Sequence, residues 1–195
     1  MKSRIFALTI LLSTTLFAQE PKVILVTLDG VRWTEVFRVV EKSILDNKKY
    51  TSTIKQTTDA FWNEDSIKRR QILMPFTWKT IKDKGVILGN RDAENFVNLS
   101  NKHLWSYPGY NEIITGKADD INIVNNKAIP NPNVSIFEIA NQQNELNGKV
   151  MVVGSWMMYP NIFNQERSKI LINAGYQQSF NPKKKKKELL IERFQ

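Results

Sequence analysis

The chain has 195 residues, 42% of them hydrophobic, and a formal net charge of +9. This is enough apolar material for one ordinary core, and the absence of cysteine excludes disulfides and thiolate metal sites. The positive charge is mostly terminal, because residues 1–18 hold two of the 28 basic residues and residues 183–195 hold six, with two of the 19 acidic residues. The net charge of +3 that is left elsewhere provides no basic patch for nucleic acid.

Residues 1–18 have the pattern of a secretory signal peptide. Lys2 and Arg4 precede an apolar run over residues 5–12, and small residues lead to Ala18. The run is short for a membrane span, so we expect cleavage near Ala18 and export to the periplasm or the medium, with a retained anchor as the alternative. After cleavage no membrane span is expected.

Apolar runs and helical spacings alternate over residues 19–182, which we expect to form the folded domain. Residues 23–27 are a continuous β-branched run, typical of a strand covered on both faces, and Asp29 follows them. Residues 65–84 have helical spacing, interrupted by Pro75 and stopped by Gly85. Short strands are predicted over residues 86–88 and 95–99, on either side of a polar turn.

The second half continues the alternation. A helix is predicted from residue 106, because Pro108 suits its first turn and Gly116 can end it. Ser135 and Glu138 form a capping-box pattern that predicts a helix ending at Gly148, and residues 149–154 read as a second buried strand. Strands alternating with helices predict an α/β fold with a mostly parallel sheet.

Asp29 and Ser106 are the candidate chemical groups. Ligands of open α/β sheets bind beyond the carboxyl ends of strands, where Asp29 is predicted to lie. A serine becomes a nucleophile when a metal ion or a helix N-terminus stabilises its alkoxide, and Ser106 starts the predicted helix. On position alone, a turn aspartate and an N-cap serine are the simpler interpretations.

Two motifs in this order and spacing resemble the alkaline phosphatase superfamily. Residues 29–32 (Asp-Gly-Val-Arg) follow the apolar run, and residues 106–110 (Ser-Tyr-Pro-Gly-Tyr) are followed by residues 113–116 (Ile-Ile-Thr-Gly). Over roughly residues 22–180 the chain is most similar to the branch of type I phosphodiesterases and nucleotide pyrophosphatases. The resemblance implies an alkaline-phosphatase-like three-layer sandwich, truncated to its N-terminal part.

The same resemblance implies a metal-dependent phosphoric ester hydrolase that acts on a small-molecule phosphate ester or diester. Asp29 would bind one of two zinc ions, and Ser106 would be both nucleophile and metal ligand. Asn125 or its neighbour Asn126 would donate a hydrogen bond to a phosphate oxygen, with Asn111 as a nearer alternative. Sulfatase chemistry is disfavoured, because an aromatic residue stands at the position where that branch requires arginine.

The expected metal site is incomplete. Two zinc ions need about six ligands, mostly Asp and His, whereas the chain has one histidine, His103. Five lysines at residues 183–187 open a basic tail, which we interpret as the product of a frameshift, with a solvated basic tail as the alternative. We therefore expect a fragment with weak or no activity.

The alternative from a different class is a non-catalytic periplasmic α/β binding module. In it, Trp33, Trp105, Trp156 and Tyr107 would line a sugar or nucleotide site. Substrate identity and oligomeric state stay open at this point.

Overall fold

The computed structural model describes residues 22–177, which belong to two units. The first unit extends to Gly30, and its described residues form no helix or strand. The second unit starts at Val31 and contains every helix and strand of the described chain. The predicted signal peptide and the lysine-rich tail lie outside the described residues. No helix between residues 22 and 177 combines the length and the apolar character that a bilayer crossing needs.

Short helices form the first part of the second unit. They are α1 (Trp33–Phe37), α2 (Lys42–Leu45), α3 (Ile54–Phe61), α4 (Ser66–Leu73), a π-helix (Phe76–Ile81), α5 (Lys82–Lys84) and a 3-10 helix (Arg91–Ala93). Asp65 caps α4 by accepting the Ile67 N–H at 2.8 Å. Pro75 separates α4 from the π-helix, and Gly85 ends α5. The helical structure predicted over residues 65–84, with its interruption at Pro75, is confirmed.

A small parallel sheet organises the second part. The elements are α6 (Ser106–Thr115), α7 (Ile136–Gln142), β1 (Met151–Gly154), α8 (Tyr159–Ile162), α9 (Gln165–Ser168) and β2 (Leu171–Ala174). The two strands pair in parallel, with Met151 opposite Leu171 and Gly154 opposite Ala174. Helices α8 and α9 supply the crossover that a parallel pair requires. The α/β class is thus confirmed in its coarse form. A strand within residues 149–154 is confirmed as well, but β1 starts at Met151 and is buried on one face only.

The main hydrophobic core lies where α6 and α8 meet one face of this sheet. Val152 and Ile172 face the core, whereas Met151 and Val153 of β1 are exposed. This alternation is the period-two pattern of a strand buried on one face. The buried members of the core are Tyr107, Tyr110, Ile114, Ile123, Val152, Ile162, Phe163, Ile170, Ile172 and Ala174.

The strand predicted over residues 23–27 is wrong. These residues have no regular secondary structure, and Val23 and Ile24 are 93% and 82% exposed. An apolar run becomes a buried strand only when neighbouring strands and helices cover it. Within residues 22–177 the sheet consists of β1 and β2 alone.

The strands predicted over residues 86–88 and 95–99 are wrong as well. Asn95 Oδ1 accepts the Gly89 N–H at 2.5 Å, and Asn90 Oδ1 accepts the Asp92 N–H at 3.2 Å. Such side-chain bonds to the backbone compete with a strand ladder. Arg38 fixes the turn further through bonds of 3.0 and 2.6 Å to the Asp92 carboxylate.

Helix α7 begins as predicted but ends earlier. Ser135 Oγ accepts the Glu138 N–H at 3.1 Å, which is one half of a capping box. The buried Glu138 carboxylate does not complete the box, because it forms two bonds of 2.8 Å to Arg167 of α9. The helix ends at Gln142, and the chain turns before reaching the predicted stop at Gly148.

Candidate functional site

Helix α6 carries the candidate nucleophile and forms as its sequence predicts. Trp105 is the N-cap residue, Ser106 is the first helical residue, and Pro108 stands in the first turn. Gly116 ends the helix with φ at +77°, a conformation that glycine adopts without strain, and its N–H donates to the Glu112 carbonyl at 2.9 Å. The ten-residue helix thus has fixed ends.

Two tyrosines hold α6 on the core. The Tyr107 hydroxyl donates to the Ile129 carbonyl at 2.8 Å and lies 3.3 Å from the Asn161 carbonyl. Burial raises the pKa of this hydroxyl, so it stays a donor. The Tyr110 ring packs edge-on against Tyr159, with ring centroids 5.5 Å apart. These contacts set the position of the helix start.

Glu112 ties the loop before α6 to the helix. Its carboxylate accepts the Ser100 N–H and hydroxyl, both at 2.6 Å, and the Asn101 N–H and side-chain amide, both at 2.9 Å. Burial by itself would raise the pKa of Glu112, but these four bonds outweigh it and lower the pKa to about 2. The loop at Ser100 and Asn101, which leads to Ser106, is therefore anchored to Glu112 near the end of α6.

The Ser106 side chain is half-buried, and its hydroxyl has no hydrogen-bond partner among the described residues. It lies at the helix end that has the positive end of the dipole, which favours a nearby negative charge. The two residues before it are exposed, Leu104 fully and Trp105 at 55%. A small anionic group can therefore approach the hydroxyl from solvent.

Of the two adjacent asparagines, Asn126 reaches this helix end. Its Oδ1 accepts the Tyr107 N–H at 2.9 Å, which satisfies one of the free donors of the first turn. Its amide NH2 has no hydrogen-bond partner within residues 22–177. Asn125 Oδ1 instead accepts the Lys127 N–H at 3.0 Å in a local turn. The structure brings Asn126 to the backbone of the residue that follows Ser106 and shows no contact of Asn125 with α6.

Asn111 belongs to a buried polar network. The residue is 0% exposed, its amide donates to the Lys117 carbonyl at 3.3 Å, and its Oδ1 accepts from the amides of Asn131 at 3.1 Å and Asn133 at 3.2 Å. These bonds occupy the side chain inside the fold. A substrate would have to break this network to reach Asn111.

Sequence reasoning missed the other members of this network. Asp119 accepts the Asn122 N–H at 2.9 Å and the Asn133 amide at 2.8 Å. The Asn122 N–H above all, with the amides of Asn133 and Asn122, lowers the pKa of Asp119 to about 2 despite partial burial. The sequence signal for this network was the density of asparagines between residues 122 and 133. That density does not identify which residues are hydrogen-bonded to one another.

The described residues do not form a zinc site. Asp29 is exposed and belongs to the first unit, whereas Ser106 belongs to the second. Within residues 22–177 no three Asp, Glu, His or Cys side chains are grouped so that they could hold a metal ion. His103 Nε2 lies 3.3 Å from the Asp120 carbonyl and 3.7 Å from its carboxylate. Residues 22–177 thus contain no group of three such donors for the zinc ions that the resemblance implies.

The aromatic residues of the alternative binding module differ in how freely their rings could contact a ligand. Tyr107 is buried, and the Trp156 ring packs against Tyr110 with centroids 6.3 Å apart. The Arg38 guanidinium lies over the Trp33 ring, 4.8 Å from its centroid. Among the described residues, the Trp105 ring has no aromatic or cationic neighbour and is the indole best placed for a ligand.

Comparison with models of known protein families, with curated proteins and with solved structures gives no match to this chain. The resemblance to the alkaline phosphatase superfamily is therefore a hypothesis that rests on the motifs at Asp29 and at residues 106–116.

Proposed function

We propose that this chain derives from a phosphoric ester hydrolase that uses Ser106 as its nucleophile. The observation that carries the proposal is the geometry of the α6 start, where an unpaired hydroxyl lies at the positive end of a well-anchored helix. The proposal also rests on the match of residues 106–116 and of Asp29 to the family motif. A small phosphate ester or diester is the substrate class that this chemistry accepts.

The residues at the helix start can bind and orient a phosphate group. The Ser106 N–H belongs to the first turn, where backbone donors have no partner inside the helix. The Asn126 amide is held beside it by the bond to the Tyr107 N–H. In the proposed reaction the Ser106 oxygen forms a bond to phosphorus, the ester oxygen departs, and water then releases phosphate from the serine.

The described residues supply no group that removes the Ser106 proton. A nucleophilic serine needs a base or a cation at its oxygen, and no carboxylate or imidazole within residues 22–177 is hydrogen-bonded to Ser106 Oγ. The metal-dependent chemistry of the family would come from zinc, for which the described donors are too few. We therefore expect very slow turnover by this chain, even with added zinc.

The finer fold proposal follows the same family. The parallel pairing of β1 and β2 and the crossover through α8 and α9 are compatible with a larger, mostly parallel sheet. We propose that the complete relative has the three-layer sandwich and that this chain contains its N-terminal part. Export, as expected from residues 1–18, belongs to the same proposal.

The test is turnover of p-nitrophenyl phosphate and bis-p-nitrophenyl phosphate by the chain and four variants. Ser106→Ala should abolish the residual rate, and Asn126→Ala should lower it about tenfold, because one charge-assisted hydrogen bond to phosphate is lost. Asn125→Ala is the matched control and should change little, and Asn111→Ala should act through stability. An equal rate for wild type and Ser106→Ala would overturn the nucleophile assignment, and fast turnover would overturn the expectation of weak activity.

The exposed Trp105 ring favours a second candidate function, a non-catalytic ligand-binding module. Indole rings at the rim of a site bind sugars or nucleobases by stacking. A metal-free titration with nucleoside monophosphates and monosaccharides, followed by tryptophan fluorescence, tests it. Saturable binding that Trp105→Ala removes and Ser106→Ala retains would support the module, whereas no saturable binding would contradict it.

A further inference from the structure

The turn between α7 and β1 contains the one Asn-Gly pair of the sequence, Asn147-Gly148. Both residues are exposed, and Gly148 has φ at +72°. A glycine after asparagine leaves the following backbone nitrogen uncrowded, because no Cβ shields it. Asn-Gly pairs in open turns are therefore the asparagines most prone to deamidation.

The chemistry of that reaction is an internal acyl transfer. The backbone nitrogen of Gly148 loses its proton and bonds to Cγ of Asn147, while the Cγ–Nδ2 bond breaks and ammonia leaves. Water then opens the five-membered imide at either carbonyl, which leaves aspartate or isoaspartate at position 147. No redox partner or cofactor is needed.

A buried neighbour contacts both reacting groups. Asn141, which is 4% exposed, accepts the Gly148 N–H on Oδ1 at 3.1 Å, and its backbone carbonyl accepts the Asn147 side-chain amide, also at 3.1 Å. The Asn141 amide is itself fixed by a bond of 3.0 Å to the Ser168 carbonyl. The attacking nitrogen and the departing amide are thus held by one residue at the end of α7.

We propose that Asn147 is a deamidation site and that Asn141 restrains it. The bond to Asn141 Oδ1 stabilises the protonated Gly148 nitrogen, which has to lose that proton before it attacks. The bond to the Asn141 carbonyl holds the Asn147 amide in one orientation. Each opening of the turn releases both restraints, so the modification rate reports how often this turn opens.

The product changes the turn. An aspartate at position 147 has no amide hydrogen for the Asn141 carbonyl and places two acceptor oxygens face to face. Isoaspartate adds a methylene group to the backbone four residues before β1 begins at Met151. The modified chain should therefore have a looser connection between α7 and the sheet.

The test compares deamidation rates of the full chain by peptide mapping and mass spectrometry during incubation at mildly alkaline pH. The native chain should react at least about tenfold more slowly at Asn147 than the same chain in concentrated urea, because two hydrogen bonds restrain the native turn. Equal rates would overturn the proposal.

Two variants of the restraining residue sharpen the test. Asn141→Ala removes the acceptor of the Gly148 N–H and should speed deamidation about fivefold, the factor that corresponds to one ordinary hydrogen bond. Both variants lose the amide that donates to the Ser168 carbonyl. Asn141→Asp keeps an acceptor for the Gly148 N–H, so its deamidation rate should stay close to that of wild type. Equal rates for the two variants would overturn the role of Asn141, and if both variants unfold, the comparison of native with urea-unfolded wild type decides.

Discussion

Substituting Glu112 by glutamine tests whether the loop before the candidate nucleophile is held by charge. The carboxylate accepts four hydrogen bonds at 2.6 to 2.9 Å from Ser100 and Asn101. A glutamine offers one carbonyl oxygen and turns an NH2 group toward two donors. Hydrogen bonds to a charged group contribute about 1.5–3 kcal/mol when buried, and partial exposure lowers this. We expect Glu112→Gln to reduce the free energy of unfolding by about 1–2 kcal/mol at neutral pH.

The pH dependence of this effect has a definite sign. The folded pKa of Glu112 is about 2, below the ordinary value of 4.5, so the unfolded chain binds the proton more tightly. The stabilisation is complete above pH 4.5 and is lost as the pH falls from 4.5 through 2. Because the glutamine does not titrate there, the difference between wild type and variant should shrink over that window.

Urea unfolding followed by circular dichroism, at neutral pH and at several acidic pH values, measures the difference. Asp119 has a similarly lowered pKa but is present in both proteins, so its contribution cancels in the comparison. Glu145→Gln is the matched control, because Glu145 is exposed. A difference that is absent at neutral pH, or that stays constant down to acidic pH, would refute the reasoning.

Three further substitutions test contacts that hold α6, α7 and the sheet in place. Tyr107→Phe removes the hydroxyl that donates to the Ile129 carbonyl, while the Asn161 carbonyl keeps the Asn131 N–H, so it should cost about 1 kcal/mol of unfolding free energy, measured by urea denaturation; an unchanged midpoint would contradict it. Gly154→Ala places a Cβ 2.1 Å from the Tyr159 ring, and should lower stability by about 1–3 kcal/mol in thermal unfolding, whereas tolerance would show that the ring moves freely. Arg167→Met leaves the buried Glu138 carboxylate unpaired and should cost about 3–5 kcal/mol; adding Glu138→Leu should restore only part of it, because the carbonyls of residues 131–133 also lose the Arg167 guanidinium, and a double variant as unstable as the single one would refute the pairing.

Local sequence signals predicted the elements whose hydrogen bonds are local. Helix α6 followed from Pro108 and Gly116, and the start of α7 followed from Ser135, whose partner is three residues away. The ends of such helices are set by residues within one turn. The same reasoning placed Ser106 at a helix start, which is where the structure has it.

Elements that depend on distant partners could not be predicted in the same way. Residues 23–27 have the composition of a buried strand, but composition does not supply the neighbour that a strand pairs with. Strand β2 was missed because Asn173 interrupts its short apolar run, and its partner β1 lies 20 residues earlier in the register. The contact of Asn126 with the Tyr107 N–H also spans 19 residues.

The most direct test of the central claim is the covalent state of Ser106. The chain, with zinc added, is incubated with p-nitrophenyl phosphate, quenched in acid and analysed by peptide mass spectrometry, with Ser106→Ala as the control. In line with very slow turnover, the account predicts a phosphoryl group on Ser106 in a small fraction of the wild-type chains and none in the corresponding peptide of the variant. Product release without a phosphoryl group on Ser106, or phosphorylation at another residue in both proteins, would contradict it.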